Sequence, residues 1–200
     1  MKKGLIALLA LLLCLTLPAC GKQKTDAPDV PDTPAVDPAP PEKTPEEENE
    51  ERLNARIAEM TLEEKVGQLF FVRCPETDAA EDVETYHLGG LLLFGRDYKD
   101  AGGAWLSEDA FTSVLASYQA AADIPLFIGS DEEGGTVTRA SRNPNLFSSP
   151  LKSPQELYAA AGMDGLLEET LRYNERLKAL GINVNFAPVC DVSTEAGDFN

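Results

Sequence analysis

Asp131, Glu132 and Glu133 are followed by the pair Gly134-Gly135, and Arg139 then returns a cation toward those acids. The apolar run Ile124-Pro-Leu-Phe-Ile-Gly129 before them ends abruptly at Ser130, the pattern of a buried strand delivering carboxylates to its C-terminal rim. In α/β folds that rim is where ligands bind. The paired glycines let the backbone turn with φ > 0 and let a ligand approach the main chain closely. No metal or cofactor is expected. The one histidine, His87, falls just before a strand and reads as a solvent-facing or satisfied loop residue, and the cysteines lack ligand spacing.

The elements that position this rim alternate strand and helix. Phe70–Cys74, Leu88–Gly95, Leu126–Ser130 and Ile182–Asp191 read as four strands, with Arg96-Asp97 at the rim after the second and Asp191 at the end of the fourth. Thr61-Leu-Glu-Glu64 is a capping box opening a helix with Leu62, Val66 and Leu69 on one face. Ser107 caps a helix to about Ala122 with Phe111, Leu115 and Tyr118 inward. Ser153-Pro-Gln-Glu156 opens a third helix, running to Leu180. Its buried stripe is expected at Leu166, Leu167, Leu171, Tyr173, Leu177 and Leu180, with a break near Gly162 and Gly165. This order implies a parallel sheet with right-handed crossovers. Polar strand ends on one rim, with no dinucleotide fingerprint after the first strand, favour an α/β barrel. Four strands make the N-terminal half of a (β/α)8 barrel, which needs eight.

At 43% hydrophobic, 200 residues are enough for one core and one domain. A net charge of −17 argues against nucleic acid as a partner. Residues 1–19 read as a signal peptide: Lys2 and Lys3, a leucine-rich run, then Leu17-Pro-Ala-Cys20. That ending resembles a bacterial lipobox and predicts a lipid on Cys20, with two acyl chains for stable anchoring on the outer face of a membrane. Residues 20–51, rich in Pro, Asp and Glu, read as a disordered tether reaching up to roughly 90 Å. The domain proper is expected over 52–200, with Cys74 and Cys190 as free, largely buried thiols.

Four segments, in order, resemble the N-terminal half of glycoside hydrolase family 3, in its bacterial β-N-acetylhexosaminidase subgroup. They are Met60-Thr-Leu-Glu-Glu-Lys-Val-Gly-Gln-Leu69, Gly89-Gly-Leu-Leu-Leu-Phe-Gly-Arg96, Asp131-Glu-Glu-Gly-Gly-Thr-Val-Thr-Arg139 and Ala179-Leu-Gly-Ile-Asn-Val-Asn-Phe-Ala-Pro-Val-Cys-Asp191. Glu133-Gly134 stands where glucosidase-like members usually carry a histidine-glycine pair. The resemblance implies a retaining barrel hydrolase that removes terminal N-acetyl-β-D-glucosamine, often from peptidoglycan fragments or related glycans; no obligate protein partner is expected. It implies that Asp131 grips sugar hydroxyls and that Arg139 lines the same subsite. Glu132 is expected to be solvated, and Glu133 and Asp191 to orient their neighbours.

Asp131 and Glu133 do not form a glycosidase pair. Two acids that flank a scissile bond stand ~5–5.5 Å apart across it, whereas residues two apart on one strand end point the same way. The nucleophilic aspartate, the histidine acid/base and a Lys-His segment implied by the resemblance belong to the second half of the barrel, beyond Asn200. The expectation is therefore a hexosaminidase sequence that is truncated here. The alternatives are a non-catalytic surface lipoprotein that binds amino sugars, assembles as a half-barrel dimer or is degenerate, and more weakly a transporter's solute-binding lipoprotein.

Overall fold

Thr61 accepts the Glu64 N–H at 3.1 Å while Glu64 accepts the Thr61 N–H at 2.6 Å, closing the expected capping box at the start of a short helix. In the computed structural model that shows this, residues 43–190 and Thr194 are described. The signal segment, Cys20, the tether up to residue 42 and Asp191 lie outside the described residues.

The first described helix, α1, is Pro45–Glu59. Residues 45–51 were expected in the tether, and this boundary is corrected. Thr44-Pro-Glu-Glu47 forms its own capping box, Pro45 sits where a missing N–H costs nothing, and Glu46, Glu47 and Glu48 favour a helix N-terminus. None of its residues is buried.

Helix α2 is Leu62–Gly67, followed by β1, Phe71–Arg73. Leu62, Val66 and Leu69 are all exposed, so they do not form a core face. Helix α3, Ala79–Tyr86, supplies the first crossover, burying Ala79 and Val83. Then come β2, Gly90–Leu93; α4, Glu108–Ala120; and β3, Phe127–Ser130. A 3-10 turn spans Ala140–Arg142. Helix α5 covers Pro154–Ala179 and is broken at Ala161 and Gly162, the region where glycines predicted a break. Its buried side is Tyr173 and Leu177, with Leu180 just beyond. Leu167 and Leu171, expected inside, are 58% and 52% exposed. Strand β4 is only Val184–Asn185.

The sheet order is β1-β2-β3-β4 with every pair parallel. Strands laid down in sequence order, with no reversal point, form an arc of a barrel rather than a doubly wound sheet. Leu91 pairs with Ile128 and Leu93 with Ser130, all fully buried toward the helices with Phe111, Leu115, Tyr173 and Leu177. The other face carries Phe71 in a T-shaped contact with Phe186, 5.2 Å between centroids. Gly90 and Gly129 lie under these rings, where an added Cβ would come within 2.6 Å of Phe71.

Candidate functional site

Side chains alternate faces along a strand. With Ser130 turned toward the helices, where its hydroxyl meets that of Tyr98 at 2.8 Å, Asp131 falls on the inner face at the strand end and Glu132 behind it. The Glu132 main chain is clasped by β4. Its N–H donates to Asn185 Oδ1 at 3.0 Å, and its carbonyl accepts from Asn185 Nδ2 at 3.3 Å.

The chain then folds back on itself. The N–H groups of Glu133 and Gly134 donate to the Val137 carbonyl, and the Gly135 N–H donates to the Leu151 carbonyl at 2.9 Å. Gly134 sits at φ +95° with the Lys152 carbonyl 2.3 Å from where a Cβ would be, so only glycine fits. This turn returns Arg139 to Asp131, with Nη2 donating to Oδ2 at 3.5 Å. The Arg139 guanidinium lies 5.4 Å from the centre of the Phe94 ring, and that of Arg73 is 4.7 Å from it. Among the described residues, Arg139 Nε is the buried side-chain polar atom with no hydrogen-bond partner.

Asp131 and Arg139 are thus brought together as the sequence implied. Arg96 and Asp97 are at the rim but occupied with holding it. Asp97 accepts the Phe94 N–H at 2.6 Å and pairs with Arg96 at 3.2 Å. Arg96 also bonds Glu76 and the Cys74 carbonyl. Burial pushes the Asp97 carboxyl above the ordinary carboxylate range, against the opposing pull of these bonds.

Glu132 corrects the sequence reading: it is 1% exposed rather than solvated. Its carboxylate accepts the N–H groups of Arg139, Ala140 and Ser141 and the Ser141 hydroxyl. Burial raises its pKa, with those donors pulling it down. Glu133 is also raised, by burial and then by the charge of Asp131. The signal that could have placed Glu132 is the alternation continuing past Ser130.

His87 is not isolated, as its sequence position suggested. It ends α3 in the left-handed region at φ 50°, and its ring, the Glu64 carboxylate and the Asp123 carboxylate have ligand atoms within 4.8 Å of one another. These three residues sit at the opposite end of the strands from Asp131. Glu64 is already engaged by Thr61, and Asp123 is exposed with Oδ2 3.8 Å from His87 Nδ1, so the group reads as a surface polar cluster. Cys74 and Cys190 are both free; Cys74 is buried as expected, but Cys190 is exposed.

A carboxylate and a guanidinium paired at a strand end can grip a polar ligand by charge-assisted hydrogen bonds. Such a pair can hold a ligand, but it does not supply a nucleophile and an acid on opposite sides of a bond. Residues 61–198 match the family described as "Glycosyl hydrolase family 3 N terminal domain". The chain is 31% identical over 117 residues to "Beta-hexosaminidase A" of Pseudoalteromonas piscicida, covering 58% of this chain and 19% of that protein. It is 31% identical over 137 residues to "Beta-hexosaminidase LpqI" of Mycobacterium tuberculosis, covering 68% and 32%. The chain therefore spans about a fifth to a third of the length of these relatives. The solved structure of LpqI superposes with a TM-score of 0.59 at 27% identity, over 72% of this chain and 39% of that one. A glycoside hydrolase family 3 beta-N-acetylglucosaminidase from Paenibacillus sp. gives 0.54 at 30% identity, over 64% and 24%.

Proposed function

Because the chain belongs to the glycosyl hydrolase family 3 N-terminal domain, we propose that it carries the sugar-gripping side of a β-N-acetylhexosaminidase pocket. The substrate class is terminal, non-reducing N-acetyl-β-D-glucosaminides, in peptidoglycan fragments or related amino-sugar glycans. The observation that carries the reading is the meeting of Asp131 and Arg139 at the C-terminal end of β3, with Arg139 Nε lacking a partner. Asp131 accepts from sugar hydroxyls and Arg139 donates to sugar oxygens. Both contacts persist into the transition state, and so are expected to set substrate affinity first.

The retaining chemistry needs a nucleophile and an acid/base on opposite sides of the glycosidic bond. Residues 1–200 hold no counterpart of the aspartate and histidine implied for those roles, so the activity is assigned to a protein in which this segment is joined to the second half of the barrel. Cys20 as a lipid anchor places the enzyme on the outer face of a bacterial membrane, where such glycans are found.

The test is release of 4-nitrophenol from the N-acetyl-β-D-glucosaminide and from the β-D-glucoside, using protein expressed from the full reading frame. Turnover of the amino sugar at least about tenfold faster is expected, with Asp131→Asn and Arg139→Ala each raising KM about tenfold or more. Binding of N-acetyl-D-glucosamine without turnover would leave a sugar-binding lipoprotein; absence of both binding and turnover overturns the reading.

A further inference from the structure

The oxygens of Glu132 face away from the inner rim, yet they tie the turn that delivers Arg139 to it. Arg139 and Ala140 donate their main-chain N–H groups to Oε2 at 3.0 and 2.9 Å. Ser141 adds its N–H at 3.3 Å to Oε1 and its hydroxyl to the same oxygen. The Ser141 hydroxyl in turn accepts the Leu151 N–H at 3.0 Å, and the Leu151 carbonyl accepts from Gly135. One buried carboxylate thus ties the end of the rim turn directly and its start through two relays. Its own main chain is pinned to β4 by Asn185.

We infer that Glu132 is a positioning residue for the proposed sugar subsite: it anchors the main chain of Arg139 while its neighbour Asp131 meets the guanidinium. The inference rests on the reading of Asp131 and Arg139 given above. Two adjacent residues, pointing to opposite faces, hold the two ends of one arginine. The main-chain end is held by its own N–H at 3.0 Å, with those of Ala140 and Ser141 on the same carboxylate, whereas the guanidinium has one hydrogen bond, of 3.5 Å, beside the Phe94 ring. Without that anchor the 3-10 turn loses the acceptor for the N–H groups of residues 139–141, and the guanidinium is no longer delivered to one place. The burial that raises the Glu132 carboxyl also isolates these bonds from water, so each is hard to replace.

A glutamine at this position keeps one oxygen for the Arg139 and Ala140 N–H groups and can donate to the Ser141 hydroxyl; an alanine keeps nothing. The test compares Glu132→Ala, Glu132→Gln and Ser141→Ala with wild type in protein from the full reading frame. Two readouts are taken: kcat and KM on the N-acetyl-β-D-glucosaminide, and the rate of trypsin cleavage after Arg139 and Arg142. Glu132→Ala is expected to raise KM about tenfold with kcat within about twofold, and to speed cleavage about tenfold. Glu132→Gln should recover most of both losses. A general loss of folded protein would instead lower apparent kcat and leave KM alone. If Glu132→Ala does not fold, Ser141→Ala, which removes one donor, is read by the same criteria. A folded alanine variant with wild-type KM and wild-type cleavage overturns the inference. If the wild type turns over no amino sugar, the substrate reading fails by itself. Cleavage then decides the anchoring: faster in Ala but not in Gln upholds it, and equal rates overturn it.

Discussion

Cys74 and Cys190 show how far residue type alone can be read. Both are small, sulfur-bearing and close to strand ends, yet one is 1% exposed and the other open to solvent. Burial, then the nearby Asp97 charge, pushes the Cys74 thiol up to about 11, so little thiolate exists near neutral pH. Iodoacetamide at about pH 8 is therefore expected to label Cys190 and spare Cys74 until the protein is unfolded, as read by peptide mass spectrometry. Equal labelling in the native state would contradict the burial. The same separation by environment governs the acid run. Asp131, Glu132 and Glu133 are alike in sequence, and the strand's alternation sends the first to the rim and the second into the core. The resemblance points to Asp131 and Arg139; the burial of Glu132 is harder to read because its donors, the N–H groups of residues 139–141, come within reach only after the turn closes.

Among the elements, those with a chemical start signal were legible. The boxes at Thr61 and Ser153 and the Ser107 cap open helices where the sequence placed them. Helix α3 was missed because Asp78 makes no side-chain cap bond and only Ala79 and Val83 mark its buried side. The fourth strand was read too long. Its ladder has two residue pairs because side chains take over the rest: Asn183 Oδ1 accepts the Ile128 N–H at 2.7 Å and its Nδ2 donates to the Leu126 carbonyl at 3.0 Å. The turn between Asp131 and Arg139 depends on Gly134, whose φ of +95° and close approach to Lys152 exclude a side chain. Gly134→Ala is expected to cost on the order of 2 kcal/mol in chemical denaturation. An alanine variant of wild-type stability would show that the turn is not built this way.

At the scale of the whole molecule, the strand order is the decisive fact. Alternating elements in the sequence established a parallel α/β sheet, and the neighbour-to-neighbour order shows it to be a barrel arc whose C-terminal rim gathers Arg73, Phe94, Asp131 and Arg139. Periodicity could not foresee which strand ends meet at the rim, since that depends on register between strands distant in sequence. We propose that this rim grips an N-acetylated amino sugar. This is tested most directly by following the Arg139 Nε–H resonance in 15N NMR while N-acetyl-D-glucosamine is added, with D-glucose as the control. A saturable shift of that resonance with the amino sugar, lost in Asp131→Asn and weaker by about tenfold with glucose, is the predicted result. An Arg139 resonance that stays still while the sugar binds elsewhere, or no binding at all, would contradict it.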